Sequence, residues 1–376
     1  SQGGIVPAAD LADLPEQWDA DRDGVWSGYV PDCYFTFDEA GFDRDPSGGY
    51  TGWRALAYYP FPATHWPANG DYGDVLIRLP DEFQTRQQAF DPDTYRVNLA
   101  ILEALIKKRD VPIPPTDENR YQVDLDKDGR LATARKVAYD WAPNDNRLMT
   151  YVGDAGDGQA DGDIQLAAGL FPEGTEFLNT LRYVDVSDEE RIEMADRMKE
   201  IRYARKIRWL SYAELETLAL NEVKERDDFP DRLKLPIGNM EDGVSNGVGW
   251  VFQGFIEDAG GRLRPQTFEE TASCIGCHGG IGATTDSTFA FARSGALGNC
   301  IFLKFKFINK GSNQLEDMYV SIWSDPDLGD AGDDLVGCDT TLSLGYCYND
   351  GADDIYGSTP PAVGFDFFQG PIVPGT

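Results

Sequence analysis

Residues 187–209 read SDEERIEMADRMKEIRYARKIRW. Ser187 opens the stretch, and Glu189 and Glu190 follow where a first helical turn would place carboxylates at the positive end of the helix dipole. Met194, Met198 and Ile201 then recur at the spacing of one helical face. The pattern predicts a helix running towards Trp209. A second helix is expected from Ser211 to about Arg226, carrying Leu215, Leu218 and Leu220. A third is expected over 93–109, where Val97, Ile101, Leu102, Leu105 and Ile106 share one face, and Pro112, Pro114 and Pro115 end it.

Outward from these helices the character changes. Residues 1–90 are rich in Gly, Pro, Asp and aromatics, which reads as a loop-dominated region. Beyond Cys300, Leu303, Phe305 and Phe307 alternate within 302–308, and 318–323 forms a second strand of similar type. A boundary therefore falls near 298. The expected fold class is α+β: a loop-rich, mainly helical region over 1–298, followed by a small β-rich, Asp/Gly-rich module over 299–376.

The 376 residues are 41% hydrophobic and 12% aromatic, enough to bury a substantial core. The net charge of -32, from 65 acidic against 33 basic residues, repels nucleic acid and anionic membrane surfaces. It suits cations and basic protein partners. No apolar run reaches transmembrane length, so no transmembrane segment is expected. The opening Ser1-Gln2-Gly3-Gly4 has no signal-peptide character, and an export signal is expected to have been removed already.

The chemistry-bearing motif is Cys274-Ile275-Gly276-Cys277-His278, in a chain with only six cysteines and two histidines. Two thiols at this spacing reach the two vinyl groups of one haem edge, and the adjacent imidazole becomes the proximal iron ligand. A redox dithiol, a disulfide and half a zinc site are the alternatives. No βαβ pattern surrounds the motif, and no second Cys/His pair exists at zinc spacing. For the distal iron position the candidates are His65, in Ala63-Thr64-His65-Trp66-Pro67, and alternatively Met240, in a Gly/Pro loop upstream of the motif.

The remaining cysteines, Cys33, Cys300, Cys338 and Cys347, are an even set, as expected for two disulfides in an oxidising compartment. Cys338–Cys347 closes the short loop, and elimination leaves Cys33–Cys300, though four cysteines allow three pairings. Two acidic runs match the first half of a calcium loop: Asp19-x-Asp21-x-Asp23-Gly24 and Asp124-x-Asp126-x-Asp128-Gly129. Both lack the glutamate at position twelve, occupied here by Val30 and Arg135. A further cluster holds Asp325, Asp327 and Asp330, and calcium is the expected cation for at least one of these loops.

At Cys274–His278 the chain resembles c-type cytochromes, although the motif lies late in the sequence and β-like sequence follows it. The resemblance implies covalent haem c, with Cys274 and Cys277 as thioether donors and His278 as proximal ligand. More loosely, residues 92–292 look like secreted bacterial monohaem proteins, and residues 319–371 look like β-rich modules of large secreted bacterial proteins. The expected function is electron transfer by a periplasmic or extracellular monohaem protein, with a redox partner offering a basic docking face. The alternatives are a haem enzyme or ligand sensor with an open distal site, peroxidase-like in chemistry, and a structural subunit that self-assembles through strand 302–308.

Overall fold

The computed structural model describes residues 18–56, 74–186, 192–229, 236–278, 286–288 and most of 326–366. The chain forms two units, 1–303 and 304–376.

The first unit is built on one antiparallel sheet. β1 (Phe42–Arg44), β2 (Tyr50–Ala55) and β3 (Val75–Arg78) form a meander at one side. The chain then leaves the sheet through α1 (Asp81–Gln84), β4 (Thr85–Arg86), β5 (Ala89–Phe90), α2 (Pro92–Lys107), the β6–β7 pair (Val111–Asp117, Thr133–Val137) and α3 (Asp154–Asp161). It returns as β8 (Glu176–Val186) and β9 (Ile192–Lys206), followed by α4 (Tyr212–Asp228). β10 (Ile237–Asn239), β11 (Gly243–Ser245), β12 (Trp250–Glu257), β13 (Leu263–Pro265) and α5 (Phe268–His278) complete the unit. Strand order is β1-β2-β3-β8-β9-β12-β11-β10, with β13 paired to β12.

The expectation of a mainly helical region is therefore corrected: the unit is organised by a nine-stranded sheet. The stretch expected as the strongest helix is the β9 arm of the β8–β9 hairpin, paired with β12 on its other side. The misreading has a physical cause. Leu181 stands opposite Glu200 but Arg182 opposite Met198, so one residue of β9 is looped out, and a second shift follows before Val184 meets Met194. The first bulge lets Met198 and Ile201, three residues apart, face the same core from an extended strand, as they would from a helix. Pairing on both edges outweighs local propensity. The 1–90 region likewise contributes three strands of the sheet rather than loops alone.

The other two helices form where the pattern puts them. Asp91 caps α2 by accepting the N–H groups of Asp93 and Thr94, Pro92 takes the first turn, and Lys108 ends it in the left-handed region. Ser211 and Glu214 make a reciprocal capping box on α4.

Both faces of the sheet are covered. On one, α2 and α3 pack with Phe171, Phe177, Trp250 and Phe252 into the main core. On the other, the segment around Tyr29 and Cys33 lies over Trp53, Leu76, Leu178, Met198, Ile201 and Phe255. Tyr29 stacks on Tyr203 with ring centroids 3.8 Å apart. This N-terminal strap is the lid of the second core. No described helix is long and apolar enough to cross a membrane.

The second unit contains an antiparallel sheet of β14 (Asp334–Asp339), β15 (Leu344–Asn349) and β16 (Val363–Asp366), in that order. Strands 302–308 and 318–323 lie outside the described residues. The disulfide expectation is corrected, since none forms among the described residues. Cys338 faces Gly345 across the ladder and Cys347 faces Val336, so the two sit diagonally rather than opposite each other. Cys33 is buried as a free thiol under the strap, where burial pushes it far above the ordinary thiol value; Cys300 lies outside the described residues.

Candidate functional site

The motif-bearing helix α5 is set by its N-terminus. The Thr267 N–H donates to Glu270 Oε2 at 2.8 Å, and the Glu270 N–H donates back to Thr267 Oγ1 at 3.3 Å. This reciprocal cap fixes the first turn. Arg264, on β13, donates to both Glu270 oxygens at 2.8 Å, and those hydrogen bonds hold the Glu270 carboxyl below the usual glutamate value. The intervening Gln266 donates through Nε2 to Glu200 on β9 at 2.6 Å, and Arg202 holds the same carboxylate with two bonds of 2.8 Å. Ile275 packs against the main core, and α5 rests on β11 and β12. The helix is thus tied to β9, β11, β12 and β13.

Cys274, Cys277 and His278 fall at i, i+3 and i+4 at the C-terminal end of α5, on one stripe of the helix. The helix itself was missed in the sequence, although Thr267-x-x-Glu270 ahead of an apolar run is a capping signature that marks its start. Beyond the motif, Asp286 forms a buried ion pair with Lys206 of β9 and accepts the Phe171 N–H at 2.8 Å. Burial lowers the Lys206 ammonium from its ordinary value, with Asp286 opposing. The chain after α5 is thereby pinned back onto the sheet. Met240 lies in the turn between β10 and β11, adjoining the strand on which α5 rests. His65 is outside the described residues.

The two acidic loops form a second constellation. Arg22 and Lys127, in the fourth positions, have φ of 65° and 59°, and the sixth-position Gly24 and Gly129 have φ of 80° and 85°. The first aspartate of each loop accepts the glycine N–H: Asp19 from Gly24 and Asp124 from Gly129, both at 2.9 Å. The third braces the exit, Asp23 accepting from Val25 and Asp128 from Arg130, both at 2.8 Å.

The first and second aspartates converge with a glutamate that sequence reading missed. Oxygens of Asp19, Asp21 and Glu241 all lie within 4.8 Å of one another, and so do those of Glu118, Asp124 and Asp126. Both glutamates are 1% exposed. Glu241 comes from the β10–β11 turn, and Glu118 from the short turn after β6. Burial, opposed by the Asp128 N–H, and then the charges of Glu118, Asp128 and Asp124 raise Asp126 above the ordinary carboxylate value. Asp21 is raised too: its bond from the Asp23 N–H lowers it, but burial and the charges of Asp23 and Glu241 prevail. Spacing alone had no means of finding Glu241, because it joins the loop only through the fold. Asp325 and Asp327 are outside the described residues, and Asp330 Oδ1 accepts the Gly332 N–H at 2.9 Å.

A protein-family profile described as "-like lipoprotein" matches residues 3–307. An uncharacterized lipoprotein of Aquifex aeolicus (strain VF5) is 34% identical over 257 residues, covering 68% of this chain and 38% of that relative. The chain thus spans 38% of the length of the curated relative it matches. No solved structure matches the chain. These matches overturn the assignment to c-type cytochromes, which rested on five residues against a family match of some three hundred. The chain belongs to this lipoprotein family, whose members are exported to the cell envelope.

Proposed function

We propose that this envelope protein holds one haem covalently through Cys274 and Cys277, with His278 as proximal iron ligand, and serves in electron transfer. The observation that carries the reading is that Cys274, Cys277 and His278 occupy positions i, i+3 and i+4 at the end of a clamped helix. The donor set fits the group. Each thiol adds across one vinyl C=C, the sulfur bonding one carbon and the thiol hydrogen passing to the other, with no net oxidation. The iron, once bound, supplies a one-electron Fe(II)/Fe(III) couple. The chain's own share is to hold the helix: Arg264–Glu270 and Gln266–Glu200 fix α5 to the sheet, so that ligand geometry is preserved between oxidation states. The acidic surface, at net charge -32, suits a redox partner with a basic docking face. Export to the envelope agrees with periplasmic or extracellular placement, where such attachment takes place.

The test is production in a host that attaches haem to exported proteins, followed by acid extraction, denaturing electrophoresis and a pyridine spectrum. The expected result is pigment that survives extraction and is lost in Cys274→Ala and Cys277→Ala. Colourless protein, or pigment removed by acid extraction, overturns the reading. A low-spin EPR signal supports electron transfer, whereas a high-spin ferric signal favours an open-site enzyme or sensor.

A further inference from the structure

The two acidic loops lack a position-twelve glutamate, yet each receives a carboxylate at an equivalent place from outside the loop. Counting the first aspartate as one, Glu241 accepts the N–H groups of the second residue, Ala20, at 2.9 Å and the ninth, Ser27, at 2.8 Å. Glu118 accepts those of the second residue, Leu125, at 2.6 Å and the ninth, Ala132, at 2.8 Å. One glutamate precedes its loop by a few residues and the other follows by more than two hundred, but both close the loop by the same pair of bonds. We propose that these are matched calcium sites, Asp19/Asp21/Glu241 and Asp124/Asp126/Glu118, each completed by a buried glutamate supplied by the fold.

Three observations point to a cation. In each group the carboxylate oxygens lie within 4.8 Å of one another, which is about the widest separation of two ligands on one calcium at 2.4 Å. Among the described residues no lysine or arginine pairs with any of the six carboxylates, although the two glutamates are almost wholly buried. Each buried glutamate adds its charge to two half-buried or exposed aspartates close by, and a bound cation relieves their mutual repulsion. Independently, Asp124 Oδ1 is shielded from solvent and meets no hydrogen-bond donor, while its Oδ2 is taken by Gly129. An orphaned anionic oxygen on a member of such a cluster is what a bound cation satisfies. All the donors are oxygen, which selects a hard ion. A flexible loop with carboxylates from two chain segments suits the larger, more variable shell of calcium over octahedral magnesium.

The inference is independent of the haem reading. Its test uses the full chain stripped with a chelator and titrated with calcium chloride by calorimetry, with thermal unfolding followed in parallel. Two equivalents and a raised Tm are expected, with magnesium at the same concentration much weaker. Glu118→Gln and Glu241→Gln should each remove one equivalent. Asp21→Asn and Asp126→Asn, which leave the glutamates' backbone bonds intact, should do the same if the glutamine variants fail to fold. A folded, stripped chain that takes up no calcium at millimolar concentration overturns the proposal. So does undiminished stoichiometry in the Asn variants, or magnesium binding of equal strength.

Discussion

The loops at Asp19 and Asp124 share their backbone angles, their bracing bonds and the position of their buried glutamate, but they are closed over very different lengths of chain. Ala20 and Glu241 are 221 residues apart, whereas Leu125 and Glu118 are separated by 7. The Asp124 loop is therefore a local structure inside the β6–β7 pair, complete once about twenty residues have folded. The Asp19 loop acquires its glutamate only when the N-terminal strap meets the β10–β11 turn. One geometry serves in one case as a hairpin ornament and in the other as the fastener of a whole core face. The energetic consequence of losing a loop should follow its closure length rather than its internal contacts.

Four experiments break or sharpen this contrast. Tyr29→Ala removes the strap's ring from Tyr203 and is expected to cost about 3–5 kcal/mol, the range for deleting a buried aromatic side chain. Chemical denaturation measures it, and a cost below about 1 kcal/mol would mean that the strap is held by its carboxylate fastener alone. Glu241→Gln leaves an N–H of the strap without its acceptor, for about 1–3 kcal/mol. It should also accelerate proteolysis within 18–37, while Glu118→Gln, at similar cost, should leave that segment protected; equal protection in both variants removes the distinction. Gly24→Ala and Gly129→Ala meet open space, so each should cost only the strain of a left-handed backbone, about 1–2 kcal/mol. Unequal costs would show that the loops are not equivalent.

The smallest effect is expected outside both loops. Glu270 is held below its ordinary value by Arg264, so its stabilisation is present above the usual glutamate value of about 4.3 and fades as pH falls through the lowered folded value. The pair is one-third exposed, and the loss should stay under about 1 kcal/mol. Tm against pH for wild type and Glu270→Gln checks it: the two curves should converge at low pH.

Much that is local was legible in the residues. α2 and α4 follow from apolar spacing and caps, and tight turns form at the two aspartate-glycine runs. What could not be read is whatever depends on distant pairing. Met198 and Ile201 look helical because a bulge lets residues three apart share one strand face, and only β8 and β12 on either side reveal the strand. Glu241 carries no local mark, since it enters its loop through a turn far along the chain. The five-residue motif Cys274–His278 stood out by its spacing but misled as to family. A short site can sit on many folds, and this one sits on a helix buttressed by an antiparallel sheet.

The strap has a consequence for synthesis and export. Its residues are near the start of the described chain, yet their partners, Tyr203, Gln253 and Phe255, lie beyond residue 200, and Glu241 with them. Asp32 and Tyr34 can meet Trp53 and Asp43 early, but Tyr29 cannot reach Tyr203 and Gln253 until β9 and β12 have been made. Folding dominated by such distant contacts is slow. For a protein that crosses a membrane on its way to the envelope, that delay keeps the chain threadable and makes strap docking the step that commits it to its final form.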